Sequence, residues 1–187
     1  IYTMREDNKQ KMSKHFSWTK EQITNKKTRS KLQFQTSNAS TKDGRRPGKV
    51  DFDEYHQYED YKMITVARTG LGKKEHPRVT IMTTNGDVRD GPLDHIIGRA
   101  ESILKGEVPD NGLLPFICWL DDKKEVDIQA NWHKANPSLR YLPTLMKEMQ
   151  REYADYKLDQ FGNSAFMTKR MNRPAGNAEA EVTSWEN

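Results

Sequence analysis

Apolar residues recur along this chain in two rhythms, and each predicts a kind of element. Val50-Asp51-Phe52 is a short β-prone run. Met63, Ile64, Val66 and Ala67 then share one helical face, which Gly70 and Gly72 end. Residues 77–84, PRVTIMTT, are β-branched and apolar and predict a second buried strand, closed by the turn pair Asn85-Gly86. Asp90 is the expected cap of a helix with Pro92 in its first turn. Leu93, Ile96, Ile97, Ala100, Ile103 and Leu104 form its apolar stripe, and Gly106 is its stop. Residues 113–120, LLPFICWL, complete the series as a third strand. Strand, helix, strand, helix, strand at these lengths predicts an α/β fold, a parallel sheet flanked by helices with right-handed crossovers.

The flanks carry weaker patterns. Met12, Phe16, Trp18 and Ile23 allow one helix over about 5–16 and another after Trp18, with Thr19 as cap and Gln22 three places on. Residues 31–36, KLQFQT, alternate and predict a half-buried strand with Leu32 and Phe34 on one face, and 37–48 read as a loop. Past residue 122 the pattern becomes helical: a short helix around Trp132, a long one over 139–161 with Leu142, Leu145, Met146, Met149 and Tyr153 on its stripe, and a third over 164–171. The expected domains are a basic flank at 1–30, an α/β core at 31–122, a helical subdomain at 123–172 and a linker at 173–187.

Composition changes this picture in two ways. Of 187 residues only 34% are hydrophobic and 31% are charged, a modest core for the length. The net charge of +4 is uneven: residues 1–49 hold 13 Lys and Arg against 4 Asp and Glu, leaving 18 against 23 for the rest. A basic flank beside an acidic body suits contact with a polyanion such as DNA, or is a solvated arm. No run approaches the 18 apolar residues of a membrane span, so a soluble, cytosolic chain is expected. The single cysteine, Cys118, lies in an apolar run and reads as a small buried hydrophobe.

The densest chemistry is at 48–60, GKVDFDEYHQYED, where the first strand delivers the adjacent carboxylates Asp53 and Glu54. Neighbouring strand residues point to opposite faces, so such a pair works together only at the strand's carboxyl end, where the backbone turns and where α/β sheets bind ligands. One carboxylate can then hold Mg²⁺ while the other polarises the water that attacks a γ-phosphate. A solvated Asp-Glu loop is the plain alternative. A nuclease site built on Asp51, Asp53, Glu54 and His56 is another, since carboxylates and imidazole suit Mg²⁺ or Mn²⁺. Arg45 and Arg46, just upstream, are either phosphate or DNA contacts or loop surface. Asp121 and Asp122, ending the third run, would join the same crevice.

From about Leu32 to Asn187 the chain resembles the large terminase subunit of tailed bacteriophages. The resemblance rests on several pieces in one order: TSNA and RPG before the acidic strand, DEYH followed by YED, IMTTNG with DGP, WHKANPSL, and FMTKRMN. It implies a P-loop-like ATPase fold in which Asp53 is the Mg²⁺-associated Walker B aspartate and Glu54 the catalytic glutamate. Thr83, Thr84 and Gly86 match the coupling motif that links hydrolysis to DNA movement, with Asn85 where relatives carry Ala. It further implies Mg²⁺ and ATP as cofactors of the complete protein, double-stranded DNA, a portal protein and a small terminase subunit as partners, a homo-oligomeric motor, and the cytoplasm of a bacterial host. The sequence has no G-x-x-x-x-G-K-[ST] loop to cradle phosphates. The expectation is therefore an incomplete slice, without the phosphate-loop half or the nuclease domain, and inactive alone. A non-enzymatic DNA-binding or assembly module remains the alternative function.

Overall fold

Thr19 is where the first expectation fails. Its hydroxyl accepts from the amides of Glu21 and Gln22, at 3.3 and 3.2 Å, but it caps a tight turn, not a helix. In the computed structural model, which describes residues 8–34 and 46–174, that turn joins β1 (Phe16–Trp18) to β2 (Gln22–Asn25). β2 pairs in turn with β3 (Lys31–Gln33), giving a three-stranded antiparallel sheet in the order β1-β2-β3. Ile23 and Thr24 at the centre of β2 are β-branched and favour the ladder over a helix. Asn25 sets the second turn by accepting from the amides of Lys27 and Thr28 through its side chain. Of the expected helix over 5–16, the described residues 8–16 form α1 (Lys9–Ser13) and the start of β1.

The chain divides into two compact units, Ile1–Arg45 and Arg46–Asn187. β3 thus belongs to the first unit's sheet, whereas the sequence pattern placed residues 31–36 in the α/β core. All three β3 residues are exposed, Leu32 among them, which corrects the half-buried expectation.

In the second unit β4 (Lys49–Asp53) and β5 (Arg78–Met82) form a parallel pair, with Val50 opposite Val79, Phe52 opposite Ile81 and Asp53 opposite Met82. Between them runs α2 (Lys62–Leu71), and after them α3 (Pro92–Leu104). Phe52, Tyr55, Ile64 and Leu93 form the cluster under this sheet, with Val50, Ile81, Ile96 and Ile97 packed on it. Asp90 does not cap α3. It takes a positive φ of 56°, Gly91 is the cap, and the Asp94 carboxylate reaches back to the Asp90 amide at 2.8 Å. Gly106 does end the helix: at φ 74° it lets the Glu107 amide bond the Ser102 carbonyl at 2.9 Å, beside its own bond to Ile103.

The third strand does not form. Residues 113–120 make no ladder, and Leu114 and Phe116 are 92% and 90% exposed. Pro115 has no N–H to offer a sheet, and the end of the run ties instead to the helical region, the Leu120 amide donating to the Met171 carbonyl. Cys118 is accordingly half-buried, not buried. Beyond it come 3₁₀ turns at Lys123–Asp127 and Gln129–Asn131, then α4 (Trp132–Ala135), a further 3₁₀ turn at Pro137–Tyr141, α5 (Pro143–Leu158) and a π-helical turn at Phe166–Arg170. Leu120, Val126, Trp132, Met149, Phe166, Met167 and Met171 make a second cluster. No described helix is long and apolar enough to cross a membrane.

Candidate functional site

Parallel pairing fixes the geometry of the site. β4 and β5 run the same way, so the residues just past each strand emerge at one mouth of the sheet: Asp53 and Glu54 after one, Thr83 and Thr84 after the other. Asp53 and Glu54 are both exposed there. The Asp53 carboxylate accepts from the Glu54 amide at 3.0 Å, and Glu54 takes the left-handed conformation, φ 49° and ψ 47°. A non-glycine residue in that region is held at a cost of about 1 kcal/mol or more, and such outliers gather at functional sites. The reversal leads into a 3₁₀ turn, Tyr55–Gln57, which carries His56 back over the end of β5.

His56 makes the contacts that join the two strand ends. Its amide and its Nδ1 both lie 3.0 Å from the Thr83 hydroxyl, and Nδ1 lies 3.3 Å from a Glu54 carboxylate oxygen. Gly86 completes the fit. A Cβ added there would fall 2.4 Å from the imidazole Cδ2, so only glycine lets the ring lie where it does. The Asn85-Gly86 turn is pinned from its other side by Arg89, which donates to the Asn85 side-chain oxygen at 2.9 Å, to the Gly86 carbonyl, and to Asp94. The Asn85 side-chain amide donates to the Asn172 carbonyl, and Asn172 donates to the Cys118 carbonyl at 2.8 Å, linking the turn to the helical region.

The carboxylates proposed from sequence for a nuclease do not gather. Lys49, at 2.7 Å, holds the Asp51 carboxyl below its usual range against burial, with a further hydrogen bond from Thr80. His56 is turned towards Thr83 and Gly86. Among the described residues no three His, Cys, Asp or Glu side chains are grouped to hold a metal. The donor set at the mouth fits a different kind of site: Mg²⁺ commonly takes one or two carboxylates and keeps its remaining positions for water and phosphate oxygens, and Asp53 is an open carboxylate of that kind. Burial, and then the Asp53 charge, raise the pKa of the nearby Tyr58 phenol.

Arg46 is exposed shortly before β4, and Arg45 lies outside the described residues. Asp121 and Asp122 serve local structure, not the mouth. Asp121 pairs with Lys134 at 2.6 Å, and Asp122 accepts the Lys124 amide to cap the following turn. Two concave surfaces, of about 420 Å³ around Phe166 and Arg170 and about 370 Å³ around Arg99 and Val108, lie elsewhere. Sequence reasoning missed Asn85 and Arg89 as supports of the mouth and weighed His56 only as a metal ligand of the alternative nuclease, or as a surface residue or one behind the metal's own ligands; the signal for its place here was the glycine that its ring needs opposite.

Comparison with known proteins bears on the family and the fold. The chain is 28% identical over 149 residues to Protein YmfN of Escherichia coli (strain K12), an alignment covering 77% of this chain and 32% of that protein. Its fold is similar to that in the crystal structure of the HK97 bacteriophage large terminase, with a TM-score of 0.72 and 17% identity over 88% of this chain and 34% of that one. The chain thus spans about a third of the length of each. A family model described as the ATPase domain of the terminase large subunit matches residues 1–102, more than half the chain, and the chain belongs to that family.

Proposed function

We propose that this chain supplies the acid end of the ATPase of a phage DNA-packaging motor, in which ATP hydrolysis drives viral DNA into a capsid. Asp53 holds the metal of Mg²⁺-ATP, Glu54 polarises the attacking water, and Thr83, Thr84 and Gly86 pass the state of the site towards the DNA-moving parts. When bound, Mg²⁺ supplies charge neutralisation at the phosphate oxygens. The observation that carries this reading is the meeting of the two strand ends: Glu54 reaches Thr83 through one imidazole at the mouth of a parallel pair. Double-stranded DNA, a portal protein and a small terminase subunit are the partners it implies, within a homo-oligomer in the bacterial cytoplasm. Contact with phosphate or DNA is assigned to Arg46 and Arg45 on their charge and their position before the acidic strand.

The 187-residue chain has no phosphate-cradling loop of its own sequence, so alone it binds no Mg²⁺-ATP and hydrolyses none. Calorimetry at concentrations that saturate an intact large subunit checks the first point. In a large subunit that carries this chain together with a phosphate loop, Glu54→Gln keeps nucleotide binding and lowers turnover by about 10²- to 10⁴-fold. Asp53→Asn also weakens metal-dependent binding. Parental hydrolysis by both variants would overturn the assignment.

A further inference from the structure

We propose that His56 is the positioning residue of this site: it fixes the Glu54 carboxylate and ties it mechanically to the end of β5. The inference rests on the reading of Glu54 as the water-activating group and adds to it the part that aims it.

Hydrogen-bond accounting assigns the ring's state. A threonine hydroxyl has one proton to donate and two lone pairs. Thr83 donates to the Thr84 carbonyl at 2.7 Å and so can only accept from its other neighbours. Those are the His56 amide and His56 Nδ1, both at 3.0 Å. Nδ1 therefore carries a hydrogen towards Thr83, and the same nitrogen lies 3.3 Å from a Glu54 carboxylate oxygen. The imidazole is not free to turn away. Its side chain is 12% exposed, and the Cδ2 edge lies against Gly86 with no room for a methyl group.

Glu54 needs such a partner. Its side chain is 56% exposed on a residue with left-handed backbone, and a free glutamate has rotamer freedom to lose before it can act in one geometry. A general base counts only when it is aimed, and a second group that orients it is the recurring solution. Here the orienting group also touches Thr83 and Gly86, so a displacement of the 83–86 segment moves the imidazole and with it the carboxylate. One side chain thus joins the two halves of the site.

The test separates aim from packing. In a large subunit that carries this chain, His56→Phe keeps a ring against Gly86 but removes the donor, and should lower kcat by about 10- to 100-fold while KM for Mg²⁺-ATP stays within about threefold. His56→Asn, whose amide can donate from near the Nδ1 position, should recover most of the loss, and Gly86→Ala, which displaces the ring, should reproduce it. Equal activity of the Phe and Asn variants, or a loss confined to KM, overturns the proposal. A second measurement does not use turnover. The ¹⁵N imidazole spectrum of the 187-residue chain should show protonated Nδ1 at His56, and Thr83→Val should change it. A bare Nδ1 at His56, or a signal indifferent to Thr83→Val, overturns the proposal even if Glu54→Gln proves inactive. Full turnover in Glu54→Gln would instead remove the catalytic reading and leave the spectroscopic link standing.

Discussion

The acidic end of β4 and the helical region, both in the second unit, handle charge in opposite ways. Around the sheet, Asp53 and Glu54 stand in the open at a strained turn, with polar contacts that run between backbone and a single ring. In the helical region the charges are tied to one another. Lys134 bridges Asp121 and Glu125, Arg170 forks onto Glu152 and reaches Glu148, and Tyr153 and Lys157 share Asp127. Several shifted pKa values belong to this second region. Lys134 holds Asp121 and Glu125 below the usual carboxylate range, and a hydrogen bond to Asp127 pushes Tyr153 up to about 12. A perturbed pKa is often a sign of a functional site, but ion-pair networks that hold a fold together produce it too. Here the perturbed network ties the helical region together, and the open pair is the one to which the proposed chemistry is assigned.

The largest effect that this division predicts is at Trp132. The indole is fully buried, donates through Nε1 to the Val126 carbonyl at 2.9 Å, and meets Tyr153 and Phe166 edge-on. Trp132→Ala leaves a large cavity and an unpaired carbonyl and should cost about 3–5 kcal/mol, a fall in Tm of roughly 10 °C or more by calorimetry. Unchanged thermal stability would break the comparison, because the helical region would then not be where the unit's stability resides.

How much of this was legible in the sequence follows the same division. The positions of β4 and β5, the α3 stripe, the Gly106 stop and the acidic pair were readable because periodicity and turn chemistry are local, but the burial expected of β5 was not, since Arg78, Val79 and Met82 are exposed. The third strand was not, because a strand exists only with a neighbour, and LLPFICWL is apolar enough for a strand while carrying a proline and finding no edge. Thr19 was misread because a hydroxyl that accepts from amides two and three residues on can begin a helix or close a hairpin turn. Ile23 and Thr24 decide for the hairpin. At the site, adjacency in the chain revealed Asp53 and Glu54. The tie from His56 to Thr83 spans 27 residues and appears only once the strands are paired.

Arg170 sharpens the comparison at intermediate size. Its guanidinium meets both Glu152 oxygens, at 2.7 and 2.6 Å, while its carbonyl accepts from Asn136. Arg170→Lys keeps the charge and the backbone contact but loses the planar fork. We expect a loss of about 1 kcal/mol, since both side chains are partly exposed, and a smaller loss in 1 M salt. A variant as stable as the parent at low salt would show that the fork adds nothing beyond a point charge.

The smallest effect is the most diagnostic, because its pH window is set by one bond. The Tyr153 hydroxyl donates to Asp127 at 2.6 Å, and that bond, followed by burial and by the Asp127 charge, raises the phenol from 10.0 to about 12. A group whose folded pKa is raised stabilises the fold below its unfolded pKa and loses that contribution as pH climbs to the folded one. Tyr153 therefore contributes fully below about pH 10, and the contribution drains away between about 10 and 12. Lys157 and Tyr156 face the same carboxylate, and lysines titrate in this range as well, so the informative quantity is the difference between parent and Tyr153→Phe. Asp127 is more than half exposed, so solvent screening holds that difference to on the order of 0.5–1 kcal/mol. In thermal melts the parent should exceed the variant by a few degrees at pH 7 to 9, and the gap should close by pH 12. A gap that persists unchanged through pH 12 would mean that the ring's packing against Trp132 and Phe166, and not its hydrogen bond, is what the helical region draws from this residue.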